Sequence, residues 1–337
     1  MKKKIIAVVK YFIFLGIGIF LMWWQFREMT SAQRLQFWDS LQHAKYIVIL
    51  PIAVIAILSH ISRAIRWKIM IEHMNYHPST SNTFDATMCG YLANTFIPRA
   101  GEILRCTLLS RYEKIPATKL IGTILVERVF DLFCYFIIVI FTILIQLDTV
   151  SDFLKKKLSL ISATRFAFSW WIVLLVLVVA ALAVFLVIKW IFKRHATHRH
   201  IIKLKGFHIG LKEGVTTILR LKKRKSFLFH TVFIWAMYLL EIYVGFFALS
   251  ATAGLGWGPA LSVLSLATLA IIVAPGGIGA FPVAVQQVLL IYSIDNISFG
   301  WLMWSVATGI IIVVGLISFG LLIYNNKKID ETKHKDQ

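Results

Sequence analysis

No Asp, Glu, Lys or Arg occurs in FGWLMWSVATGIIIVVGLISFGLLIY, residues 299–324. About 18 or more such residues in a helix reach across the roughly 30 Å of a hydrocarbon core. Long apolar runs also lie at about 5–25, 45–66, 120–146, 168–192 and 226–250. Hydrophobic residues make up 58% of the 337 and charged residues only 15%, where soluble domains run nearer 45–50% and about 25%. These features predict an all-α polytopic membrane protein with about six full transmembrane helices, folded as a single integral membrane domain over residues 1–337.

The formal net charge of +20 fits Lys- and Arg-rich cytoplasmic loops rather than nucleic-acid binding, since no basic-aromatic recognition motif accompanies it. The segment 189–225 carries twelve basic residues against the single acid Glu213. Lys2, Lys3 and Lys4 precede the first span, and Lys327 and Lys328 follow the last, whereas residues 250–258 carry no charge. Both termini are therefore expected on the cytoplasmic side, with 326–337 a short polar tail. The basic run in FLKKKLSL, 153–160, falls on the predicted outer side and runs against that pattern. Within 200–220, Leu204, Phe207, Leu211, Val215 and Ile218 repeat at helical spacing among lysines, the pattern of an amphipathic helix on the membrane surface. The N-terminal apolar run is too long for a signal peptide and lacks a small-residue cleavage site, so it reads as a retained span. Cys89, Cys106 and Cys134 have no metal-ligand spacing. No metal, cofactor or catalytic triad is indicated.

Two apolar regions are interrupted. Residues 84–110 contain NTFIPRAGEILR, and 259–293 contain APGGIGAFP. Placing every basic segment on one side requires both regions to be re-entrant hairpins. Half 1, about 1–150, and half 2, about 165–325, then repeat one order of elements in opposite orientation. Inverted repeats with paired breaks are common among secondary transporters, whose sites lie at the breaks.

Polar chemistry concentrates at the first break and in the third span. Pro98 removes a helical N–H and Gly101 loosens the backbone, so Arg99 and Arg105 project from broken helix. Paired guanidinium groups suit a phosphate. Glu102 can hold one arginine, and Asn94 can satisfy freed backbone groups. In ILVERVFDLFCYF, Glu127, Arg128 and Asp131 stand in an otherwise apolar helix, where ionised groups normally pair inside the bundle. Two readings follow: an ion-pair network pinning the hairpin, or a substrate cluster with one arginine left for phosphate. At the second break, Pro275, Gly276, Gly277 and Gly279 expose backbone N–H groups that can form an anion nest. Glu241 is an isolated acid in the fifth span, for which a pathway role and a helix–helix hydrogen bond are both open.

Together these residues resemble the family of the lysylphosphatidylglycerol synthase transmembrane region, also described as flippase-like. The family pattern appears as Asn94, Pro98, Arg99, Gly101, Glu102 and Arg105, then Glu127, Arg128 and Asp131, then Pro275-Gly276-Gly277-Ile278-Gly279. Two departures stand out. Arg99 follows Pro98 directly, and Phe281-Pro282 stand where many members carry a glutamate after the glycine loop. The resemblance implies the membrane part alone, without the soluble aminoacyl-transferase domain.

The function this implies is translocation of a phospholipid or polyprenyl-phosphate-linked lipid across a bacterial-type inner membrane. The partners would be lipids with anionic phosphate headgroups and a lipid- or glycan-modifying enzyme. A membrane-embedded enzyme acting on a lipid headgroup, or a scaffold for a glycosyltransferase or synthase, are the alternatives.

Overall fold

The structure, a computed structural model, describes residues 16, 18–97, 100–147, 149 and 220–335. The predicted fourth span at 168–192 and the amphipathic segment up to residue 219 lie outside the described residues, as do Pro98 and Arg99.

Ten helices follow in order among the described residues. They are α1 (18–28), α2 (Ser31–Gln42), α3 (Ile49–Glu72), α4 (Thr80–Phe96), α5 (Ala100–Glu113), α6 (Ala117–Ile145), α7 (Arg224–Gly245), α8 (Trp257–Val273), α9 (Ala280–Ile291) and α10 (Ser298–Lys335). Among the described residues, four stretches are long and apolar enough to cross a membrane: Tyr46–Glu72, Ala117–Ile145, Arg224–Ala248 and Ser298–Lys327. They match the predicted second, third, fifth and last spans. The second runs further than the expected end at 66, carrying Arg63, Arg66 and Lys68 inside the helix. This is an integral membrane protein whose described residues form helices and no strand.

Each interrupted region becomes two short antiparallel helices. With 17 residues, α4 is about 25 Å long, and α9, with 12, about 18 Å, so neither matches the roughly 30 Å of a bilayer core. The breaks share one cause. Ile97 and Ala274 each precede a proline, whose ring excludes the helical conformation from the residue before it. Both adopt extended backbone, at φ −128°, ψ 111° and φ −112°, ψ 105°.

The open ends of the hairpins lie at opposite ends of the molecule. Asn82 and Ser79, at the start of α4, both bond Glu113 at the end of α5. Tyr292, just past α9, bonds Ser262 near the start of α8 and Gln146 at the end of α6. The closed ends meet, and a methyl group added at Gly276 would lie 3.7 Å from the Thr95 carbonyl oxygen. Helix α10 joins the two. Its Ser298 bonds the Phe37 carbonyl, its Trp304 indole bonds the Gly276 carbonyl, and its Asn326 bonds Asn82.

Apolar packing fills both ends. Ile52, Phe246, Val263, Leu289 and Phe299 cluster near the base of α8–α9, and Trp67, Ile71, Cys106, Leu109 and Leu120 near the base of α4–α5. On the outer face of α6, Leu125, Phe133, Phe136, Ile140 and Leu144 are exposed, a surface made for lipid tails.

Candidate functional site

The centre of the charged constellation is Glu127, fully buried on the inner face of α6. Its Oε1 accepts from Arg63 and Arg66 of α3, each at 3.1 Å, and its Oε2 accepts from Arg105 of α5 at 3.0 Å. One turn on, Asp131 Oδ2 accepts from both α3 arginines at 3.0 Å, and Arg66 Nη1 lies 2.7 Å from its Oδ1. The spacing explains the fit. Arg63 and Arg66 are three apart on α3, Glu127 and Asp131 four apart on α6, so each pair projects from one helix face toward the other.

Surrounding side chains add to the guanidinium contacts. The Tyr238 hydroxyl accepts from Arg63, and Thr231 Oγ1 accepts from Arg66. The Arg105 guanidinium lies over the Trp67 ring, 4.7 Å from its centroid, while the Trp67 indole donates to Thr123. Cation–π contact of this kind is strongest where water is excluded. Three arginines face two carboxylates, so this buried group carries one excess positive charge. Arg105 Nη1 and Nε make no hydrogen bond among the described residues.

Beside this core is a second pair. Arg128 Nε lies 3.2 Å from Glu102 Oε1, both side chains a little over one-third exposed. Arg128 therefore turns away from Glu127 to the outer side of the α5–α6 interface. A buried cluster that still holds guanidinium N–H groups without a hydrogen bond among the described residues, and an accessible ion pair outside it, stand one residue apart on α6.

Close packing brings Arg105 into place. Gly90 of α4 faces Gly101 of α5, and a methyl group at Gly101 would overlap the Gly90 carbonyl oxygen. Asn94 Oδ1 accepts from the Gly101 N–H at 2.8 Å, supplying a partner to the first turn of α5. The expected role of Asn94 in satisfying freed backbone thus has a specific atom.

The other predicted residues sit elsewhere. Gly276, Gly277 and Gly279 have φ of +73°, +66° and +69°, a region open to glycine at little cost. Their loop packs on Thr95, on α1 through Gly18 and Leu21, and on α10 through Trp304. Among the described residues, no hydrogen bond or ion pair joins it to residues 127–131. Pro275 begins the turn. Glu241 lies three residues beyond Tyr238 on α7 and forms no ion pair among the described residues.

Arg63 and Arg66 are the residues that sequence reasoning missed. SHISRAIRWK, 59–68, holds the signal: two arginines at i and i+3, with no break between them and the apolar run. The span expected at 45–66 takes in both without assigning them a role, and Arg66 is wholly buried.

An all-helical bundle with two broken helix pairs and a buried arginine–carboxylate core defines a polytopic membrane protein with a charged interior. Residues 8–315 match the family described as lysylphosphatidylglycerol synthase TM region, and the chain belongs to that family. A UPF0104 membrane protein of Pyrococcus horikoshii is 23% identical over 354 aligned positions, covering 98% of each chain. A UPF0104 membrane protein of Methanocaldococcus jannaschii is 30% identical over 93 residues, 27% of this chain and 28% of that protein. No solved structure matches.

Proposed function

We propose that this protein is a flippase-like transporter that carries a phospholipid or polyprenyl-phosphate-linked lipid across a bacterial-type inner membrane. One observation carries the reading: buried arginines outnumber their carboxylate partners next to the accessible Arg128–Glu102 pair. The family's tie to a lipid synthase supplies the substrate class. A headgroup phosphate arriving between α5 and α6 takes the place of Glu102 on Arg128. The unpartnered Nη1 of Arg105 offers a second donor, and the acyl chains stay against the exposed leucines and phenylalanines of α6.

In this reading the two hairpins are re-entrant and related as an inverted repeat, with both termini cytoplasmic. Their meeting ends form the barrier that must part, and Trp304 holding Gly276 is one latch of it. By sequence Arg99 follows Pro98 at the break, and we propose it as a further cation for the phosphate. The carboxylates Glu127 and Asp131 keep the α3 arginines in place, so phosphate meets a prearranged site and little of its binding is spent on ordering side chains.

The test is purified protein in vesicles, following movement of a fluorescent anionic phospholipid between leaflets. Arg128→Ala should reduce the rate at least about tenfold, the loss of one charge-assisted hydrogen bond, without lowering thermal stability. Lipid movement no faster than in empty vesicles, or a full rate in Arg128→Ala, would defeat the proposal.

A further inference from the structure

At the end of the molecule that carries the base of the α8–α9 hairpin, α1 and α2 form an open cleft of about 450 Å³. Its walls include Trp23, Phe26, Arg27, Arg34, Phe37 and Trp38. Nothing in the charged core reaches it.

The local sequence builds it. Helix α1 ends at residue 28, and Thr30 starts α2 with a capping box, its hydroxyl accepting from Gln33 N–H while the Gln33 side chain accepts from Thr30 N–H. That sharp turn lays α2 over the end of α1, packing Phe26 edge-on to Phe37 with ring centroids 5.5 Å apart. Gln33 and Gln36 of α2 both bond Asp295, which fixes the helix to the hairpin base.

Its charge is one-sided. Arg27 stacks over the Trp23 ring at 4.9 Å, and Arg34 donates to the Phe26 carbonyl at 3.3 Å. Among the described residues neither arginine has a carboxylate partner. A cleft with two unneutralised guanidinium groups between indole rings favours an anion that also has an apolar body. Trp23 is 51% exposed, and Trp24, Trp38, Ile19 and Phe20 are exposed beside it. Tryptophan and arginine at the end of an apolar helix mark the headgroup level of a bilayer.

We infer that this cleft is a binding site for an anionic phospholipid of the adjacent leaflet, its phosphate held by Arg27 and Arg34 and its chains lying along Ile19 and Phe20. The site is independent of the arginine–carboxylate core and does not rest on the transport reading. A free phosphate ion would use the arginines but leave the exposed aromatic wall without a role.

Tryptophan fluorescence of the whole protein reads this out in phosphatidylcholine vesicles doped with brominated lipid, which quenches indoles it touches. Brominated phosphatidylglycerol should quench at a mole fraction roughly tenfold below that needed for brominated phosphatidylcholine, since basic side chains at the surface attract anionic lipid. The Arg27→Gln/Arg34→Gln variant should lose that preference, and Arg27→Lys/Arg34→Lys should keep most of it. Equal quenching by the two lipids in the unaltered protein overturns the inference without any variant. So does a preference that survives the glutamine pair, or one that millimolar inorganic phosphate abolishes at constant ionic strength.

Discussion

Against the buried side of the α4–α5 hairpin, α6 presents a carboxylate; against α8–α9, further along the same helix, it presents hydroxyls and an amide. Glu127 receives Arg105 from the first hairpin at 3.0 Å. The Tyr135 hydroxyl donates to the Ser265 carbonyl, Thr142 pairs with Ser265 Oγ, and Gln146 accepts from Tyr292 in the second. Ions in a low-dielectric interior attract strongly but lose much hydration, so their worth depends on every partner staying in place. Neutral hydrogen bonds between membrane helices are individually weak and can be exchanged one at a time. The first contact is therefore close to all-or-none, and the second is graded.

Removing the shared carboxylate tests this difference most severely. Glu127→Gln leaves Arg105 without a carboxylate and Arg63 and Arg66 with Asp131 alone, and breaking a buried pair costs about 3–5 kcal/mol. Thermal unfolding in detergent should show a large loss of stability. Adding Arg105→Met should recover part of it, a coupling that a double-mutant cycle measures directly. An unchanged melting temperature in Glu127→Gln would mean that charge does not anchor the first hairpin. Asp131→Asn should cost less than Glu127→Gln, because Arg63 and Arg66 keep their bonds to Glu127 Oε1.

Glycine separates the hairpins a second way. In α4–α5 it provides space: Gly101 sits against the Gly90 carbonyl with ordinary helical backbone. In α8–α9 it provides conformation, through left-handed Gly276, Gly277 and Gly279. Gly101→Ala should force the helices apart, carry Arg105 from Glu127 and cost about 1–3 kcal/mol, as overpacking does. Gly122→Ala on α6 is the control, since an added methyl there meets nothing within 4 Å. It should leave stability unchanged or slightly raised, alanine being the better helix former. Equal melting temperatures for the two variants would show that the Gly90–Gly101 contact is not needed for closure.

Much of this was legible in the residues. Apolar runs gave away the spans, and Pro98 and Pro275 marked the breaks, because proline acts on its immediate neighbours. The acids Glu127 and Asp131 announced a buried network by their cost in an apolar helix. Which arginines they hold was hidden. Spacing within one helix says which face a residue shares, while the pairing of α3 with α6 is long-range packing. Arg128 illustrates the limit. It stands beside Glu127 in sequence and three residues from Asp131, yet pairs with Glu102 across a different interface. Consecutive helix positions point about 100° apart, so Arg128 and Glu127 serve different interfaces.

The smallest effect sharpens the comparison at its neutral end. Tyr135→Phe removes the hydroxyl that donates to the Ser265 carbonyl at 2.9 Å and leaves the ring in place. Hydrogen bonds between membrane helices are worth about 0.6 kcal/mol on average. The Ser265 side chain also keeps its contact with Thr142 at 2.7 Å. Stability in detergent should fall by no more than about 1 kcal/mol, several times less than for Glu127→Gln. A loss as large as that of the carboxylate variant would show that the second hairpin is held as stringently as the first. The contrast between a locked hairpin and an exchangeable one would then disappear. If the small loss is found, the α8–α9 side is the one whose contacts with α6 can break and re-form during a transport cycle, while Arg105 and Glu127 stay paired.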